Sequence, residues 1–214
     1  MKHPASSPLQ GPELYAQIAL DLEEKGWNVA PQFILPELME QLANEAREGW
    51  SAGEFKHAGV GRGAALEVKP EIRSDQVNWI DPDNCSTAQQ TYLQQLEELR
   101  QAINSQLYLG LFNFEGHLAV YPPGSYYRRH VDQFRDVGLR TVSTVLYLNQ
   151  DWHAADGGQL RLYNDQDDPQ AYEEILPIGG RLVTFLSADF EHEVRPAKRE
   201  RLSLTGWFKI RGER

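Results

Sequence analysis

Apolar residues recur at helical spacing in three stretches of the first half of the chain, and at alternating positions through most of the second half. In the first stretch Leu14, Ile18 and Leu22 share one face. Pro12 stands where a first helical turn tolerates its missing N–H, and Gly26 marks the end, so the spacing predicts a helix over 12–25. Trp27-Asn28-Val29-Ala30 reads as a short strand, and Pro36 opens a second helix carrying Leu38, Leu42 and Ala46. The longest helical pattern covers 91–111, with Leu93, Leu96, Ile103 and Leu107 in a stripe suited to bracing one face of a sheet. Residues 51–66 hold four glycines and no sustained period, the composition of a mobile loop. No phosphate-cradling glycine pattern follows a strand there. Residues 72–79 are a strand candidate, stopped by Asp81-Pro82-Asp83.

From about His117 onward the texture becomes short β runs, near 116–121, 126–131, 139–149, 158–163, 171–176, 181–187, 191–195 and 200–209. Turn signals separate them: Pro122-Pro123-Gly124, Asp156-Gly157-Gly158, Gly179-Gly180 and Pro196. Runs of this number and length predict a double-sheet jelly roll. The fold class expected is therefore mainly β with bracing α-helices, the β core being preceded by an N-terminal helical region. A length of 214 residues with 41% hydrophobic content suits one buried core, so residues 1–214 read as a single domain. Within it, 1–114 supply helical support, a loop and outer strands, and 115–210 supply the core.

Charge narrows the partners. The formal net charge is −10, with 16 acidic against 8 basic side chains in residues 1–110 and 15 against 13 in 111–214. A nucleic-acid binder would show a basic face to phosphates, and this balance argues against one. The arginines at 128, 129, 135 and 140 could steer an acidic or carbonyl-rich partner, or form a solvated strand edge. No apolar run approaches the ~20 residues that span a bilayer, and the first residues lack a secretory apolar region. A cytoplasmic protein with no membrane partner is the expectation. A lone cysteine, Cys85, is consistent with a reducing compartment.

The candidate chemistry lies in Tyr127-Arg128-Arg129-His130-Val131-Asp132. On an extended strand, residues two apart share a face, so the imidazole of His130 and the carboxylate of Asp132 can converge on one metal. Such a pair alone is a weak signal, and a single histidine is more often a hydrogen-bonded structural residue. His192, in a later β run, supplies a third ligand. Two histidines and one carboxylate form the facial triad of non-haem Fe(II) oxygenases, with positions left open for a co-substrate. Nine residues on, Arg201 opens an apolar run, and its planar guanidinium suits a bidentate carboxylate. His3, His57, His117 and His153 receive no role.

This order of His-x-Asp, His and Arg resembles the 2-oxoglutarate- and Fe(II)-dependent dioxygenases, and among them the oxygen-sensing (HIF-type) prolyl 4-hydroxylases. The resemblance runs from about Ile72 to Trp207. It includes Ile72-Arg73-Ser74-Asp75-Gln76-Val77-Asn78-Trp79-Ile80, Val145-Leu146-Tyr147-Leu148-Asn149-Gln150-Asp151-Trp152 and Gly157-Gly158-Gln159-Leu160-Arg161-Leu162. It implies a double-stranded β-helix (jelly-roll or cupin-like) with the metal in its mouth. Fe(II) would be held by His130, Asp132 and His192. With O2, 2-oxoglutarate would be converted to succinate and CO2 as a C–H bond is hydroxylated, with ascorbate an optional reductant. Arg201 and Tyr147 match the residues that take the distal carboxylate of 2-oxoglutarate, with Lys198 the alternative base. Tyr121 matches a pocket tyrosine, and Ser143, Leu160, Thr205 and Trp207 match the pocket wall. Arg140 and Trp79 match substrate contacts, and the loop 53–66 matches a flap over the substrate. The substrate implied is a prolyl residue in a protein, with elongation factor Tu as the leading candidate. Other protein residues, small molecules, or a non-catalytic sensor module remain the alternatives, because iron ligands do not encode the substrate.

Overall fold

The computed structural model describes residues 9–59, 67–133, 139–165 and 168–212. Its α-helices are Gly11–Lys25 (α1), Pro36–Ser51 (α2) and Thr87–Leu107 (α3). Strands before α3 are Trp27–Ala30 (β1), Lys56–His57 (β2) and Gln76–Trp79 (β3). After it come Leu111–Tyr121 (β4), Tyr127–His130 (β5), Arg140–Tyr147 (β6), Leu160–Tyr163 (β7), Tyr172–Ile175 (β8), Leu182–Leu186 (β9), His192–Val194 (β10) and Arg201–Ile210 (β11). They form a seven-stranded sheet, β1-β9-β6-β11-β4-β3-β2, and a four-stranded sheet, β5-β10-β7-β8, every pairing antiparallel.

Period-two alternation in the central strands explains why two cores exist. On β4, Leu118 and Val120 face the helices while Ala119 and Tyr121 face the smaller sheet. On β6, Val142 and Leu146 face one way, Val145 and Tyr147 the other. Leu202, Leu204 and Phe208 of β11 join the helix side, where Leu22, Leu42, Leu96 and Ile103 meet them. Each such fully buried leucine contributes about 2 kcal/mol of transfer free energy. The second core, between the sheets, contains Leu160, Leu162, Phe185 and Val194 and is the one that surrounds the chemistry.

Three expectations shift. The third helix begins at Thr87 and ends at Leu107, about one turn earlier than the apolar stripe suggested. Ser86 caps it, its hydroxyl accepting from the Gln89 amide at 3.0 Å, and Tyr108 stops it in the left-handed region at φ 55°. Asn104 then holds both main-chain groups of Leu111 at 2.8 Å, which diverts that residue into β4. The strand expected over 72–79 shortens to β3, its first part meeting the β5 side through an isolated bridge between Arg73 and Tyr127. In the loop over 51–66, Ser51 closes α2 and Lys56–His57 form a hairpin rung with Val77 and Gln76. Residues 60–66 of that loop, and Arg135 of the arginine cluster, lie outside the described residues. None of the described helices is long and apolar enough to cross a membrane.

Candidate active site

Pairing of β10 with β5 places His192 directly opposite His130. Asp132 does not continue β5 as the two-residue spacing suggested. The strand ends at His130 and Asp132 stands in the bend after it. What turns its carboxylate inward is Ser143, whose hydroxyl donates to Oδ2 at 2.7 Å and lies 2.8 Å from Ser187 Oγ. Ser143 is therefore a brace for Asp132, fully buried, and it is not among the residues that line the cavity described below. Nε2 of His130 is 3.5 Å from Asp132 Oδ1, and Nε2 of His192 is 3.6 Å from Oδ2. One donor atom from each of the three lies within 4.8 Å of the others, a set able to hold a single cation.

The tautomers suit that task. Nδ1 of His130 faces the Arg128 carbonyl at 2.7 Å, and Nδ1 of His192 faces the Phe190 carbonyl at 3.2 Å. A nitrogen facing a carbonyl carries the proton, which leaves each Nε2 lone pair directed at the cluster. Burial and the neighbouring His130 push His192 down to about 4, so it stays neutral. Burial opposes the ionised form of Asp132, yet its interactions with His192 and His130 hold its pKa far below the usual carboxylate range. Tyr127 stacks on His130 at 3.5 Å and 15°, and Arg73 lies 4.2 Å over the same tyrosine. Asp75, itself buried, fixes that guanidinium with contacts of 2.8 and 2.5 Å.

The three ligand candidates line a cavity of about 700 Å³. Farther round its wall is Arg201, 1% exposed. Nε donates to the Gly158 carbonyl at 3.0 Å and Nη1 reaches Ser203 Oγ at 3.5 Å, while Nη2 is buried with no partner. Among the described residues no carboxylate pairs with it. The rings of Tyr121 and Tyr147 lie 4.9 and 5.1 Å from the guanidinium, and the Tyr147 hydroxyl is also buried and unpartnered. A buried guanidinium without a counter-ion is costly. Beside the Tyr147 phenol, such a guanidinium has the chemistry to take a carboxylate. Lys198, the alternative base, is exposed and absent from the cavity lining.

The remaining expected residues divide by place. Leu160, Thr205 and Trp207 line the cavity with Tyr121. Trp79, 52% exposed, and Arg140, stacked 3.5 Å over Trp207 and tied to Glu115 at 2.9 Å, stand on the lining too. Tyr147 lies behind the lining, against Arg201. Not foreseen are Arg73, Tyr127 and His117, all on the cavity wall, where Lys56 and His57 of the loop matched to a flap also stand. A signal for His117 was present: it stands four residues before Tyr121 on one strand, hence on the same face.

Residues 116–209 match the family described as the 2OG-Fe(II) oxygenase superfamily. The crystal structure of a Pseudomonas putida prolyl-4-hydroxylase superimposes with a TM-score of 0.81 at 45% identity, covering 92% of this chain and 100% of that one. A Trichoplax adhaerens prolyl hydroxylase, solved with a hypoxia inducible factor oxygen degradation domain peptide fragment, gives 0.80 at 27% identity, covering 92% and 89%. The human Egl nine homolog 1 is 30% identical over 202 residues, 90% of this chain and 46% of the relative. The chain thus spans less than half the length of that relative.

Proposed function

We propose that this chain, which belongs to the 2OG-Fe(II) oxygenase superfamily, hydroxylates a prolyl residue of a protein substrate, with elongation factor Tu as the candidate. Carrying the reading is the coexistence in one cavity of the His130, Asp132 and His192 cluster and the unpaired Arg201 guanidinium. Bound Fe(II) with 2-oxoglutarate and O2 supplies the oxidation: one oxygen atom enters the substrate C–H bond, the other enters succinate, and CO2 leaves.

The chain's own residues bind, orient and exclude. His130 and His192 would hold the metal through Nε2 and Asp132 through its carboxylate, with Ser143 keeping that carboxylate turned inward. Arg201 and Tyr147 would take the distal carboxylate of 2-oxoglutarate, the guanidinium by its fork and the phenol by one hydrogen bond. Val145, Leu160 and Val194 add apolar surface to the cavity lining, which would help keep water from the reacting centre. Trp79, Trp207 and Arg140 form the wall that would meet the peptide, and Lys56 with His57 form the rung beside the strand that carries Trp79. We read 1–214 as one domain working in the cytoplasm.

The test is aerobic incubation with Fe(II), 2-oxoglutarate and ascorbate in the presence of elongation factor Tu. Mass spectrometry should find one added oxygen on a prolyl peptide, matched by succinate. Succinate formation without an oxidised proline would move the substrate to another residue or a small molecule. Binding of 2-oxoglutarate without turnover of any candidate would make the module a sensor.

A further inference from the structure

His117 is a buried polar group on the cavity wall to which the reaction above gives no task. It stands on β4 opposite Thr205 of β11 and Trp79 of β3. Its ring packs against two indoles, 4.8 Å from Trp79 and 5.6 Å from Trp207. Although it lines the cavity, it is 4% exposed, and it makes no hydrogen bond to any described residue, with Nδ1 fully shut off. An aromatic hydrocarbon would fill the same slot without an unpaired polar group, which a packed interior normally avoids.

The ring's electrical state narrows what would pair with it. Burial and the nearby Arg73 and Arg140 guanidiniums lower its pKa to about 3, against the opposing pull of Asp75 and Asp132. It is thus a neutral imidazole, one nitrogen a donor and the other an acceptor. A carboxylate would be met best by a cation, and the cavity already has one in Arg201. With Nδ1 shut off, Nε2 is the nitrogen left to meet a partner, and on a neutral ring it suits one polar group of an amide. The slot is also continuous with the mouth, where Trp79 is half exposed and Arg140 covers Trp207. A prolyl residue offers an apolar ring to flat indoles and has no N–H of its own. The nearest main-chain polar groups are its carbonyl and the N–H of the following residue.

We infer that His117 is a specificity-determining residue of this site, hydrogen-bonding the amide that follows the target proline while Trp79 and Trp207 hold the pyrrolidine ring. This rests on the prolyl hydroxylation reading, which it refines. Its action is on the substrate's placement, not on the metal or the co-substrate.

The experiment compares wild type, His117→Phe and His117→Gln on two synthetic peptides spanning the hydroxylated proline mapped on elongation factor Tu. One has the ordinary amide after that proline; the other has an ester there, which removes the N–H and weakens the carbonyl as an acceptor. Wild type should lose about 5- to 10-fold in kcat/KM on the ester. His117→Phe should lose a similar factor on the amide peptide, mainly through KM, and then discriminate little between the peptides. His117→Gln should recover part of the loss, and the KM for 2-oxoglutarate should stay at the wild-type value in both variants. Undiminished discrimination by His117→Phe, or a raised 2-oxoglutarate KM in place of a peptide effect, overturns the assignment of His117 alone. A wild-type enzyme that hydroxylates neither the peptide nor the whole factor overturns the prolyl reading and this inference with it.

Discussion

At the residue scale the cluster has no spare ligand. Truncating any of His130, Asp132 or His192 removes one of the three donors among the described residues, so each alanine variant should lose most Fe(II) affinity. Calorimetry with Mn(II) as a redox-silent probe would check this, and wild-type affinity in one variant would strike that residue from the set. Arg201→Lys keeps the charge and loses the fork. It should raise the 2-oxoglutarate dissociation constant at least tenfold while leaving metal affinity near wild type, with Tyr147→Phe acting in the same direction by about 1 kcal/mol. An unchanged co-substrate affinity in Arg201→Lys would send the search to another base. These residues were legible because their types and order carry the chemistry. The contact of Ser143 with Asp132 was not legible: it depends on how a bend folds over β6, and no spacing within the chain encodes that.

At the element scale, period and punctuation located the strands and helices well, since a buried face imposes its repeat on the sequence. Trp27–Ala30 is a strand as expected, and α1 begins one residue before Pro12. The errors come where a local cap outweighs the stripe. Ser86, three residues before Gln89, starts α3 ahead of its first large apolar residue, and Ala88 and Tyr92 supply the buried face there. Short β2 escaped notice because two exposed residues show no period; only pairing with β3 reveals them. That rung makes a prediction. Lys56→Ala combined with His57→Ala should weaken peptide binding and raise the ratio of succinate to hydroxylated product. Affinity for Fe(II) and 2-oxoglutarate should persist, because those groups sit on the far strands. Equal coupling in variant and wild type would make the rung ordinary surface. Strand β11 is less forgiving. A Cβ on Gly206 would come within 2.6 Å of the Glu115 carbonyl oxygen and collide with the Phe114 ring, so Gly206→Ala should cost about 1–3 kcal/mol in a urea melt. A melt superimposable on wild type would show that β4 yields freely at this point.

At the scale of the whole molecule, neither the strand order nor the face-to-face seating of the two sheets was written in any local pattern. Both follow from which alternating faces must be buried together, and that is also what draws polar groups into the second core. His117 is 4% exposed and shifted down to about 3, and its fate couples the site to global stability. In the unfolded chain its pKa is about 6.5. Above that value both states are neutral and its contribution is flat. As pH falls from about 6.5 toward 3 the unfolded chain takes up a proton that the folded chain refuses, so stability declines by as much as about 1.4 kcal/mol per pH unit. His192, lowered to about 4, adds a loss of the same sign once metal is removed. Urea unfolding in the presence of a chelator should therefore show stability dropping between pH 7 and pH 5. In His117→Phe the drop should be smaller by about 2 kcal/mol, because a phenylalanine has no proton to gain. Parallel stability curves for the two proteins would mean that the folded ring takes up a proton as readily as the unfolded one, so that burial does not hold it neutral below pH 6.5, and a ring that charges so readily would favour an acidic partner over the amide assigned to it above.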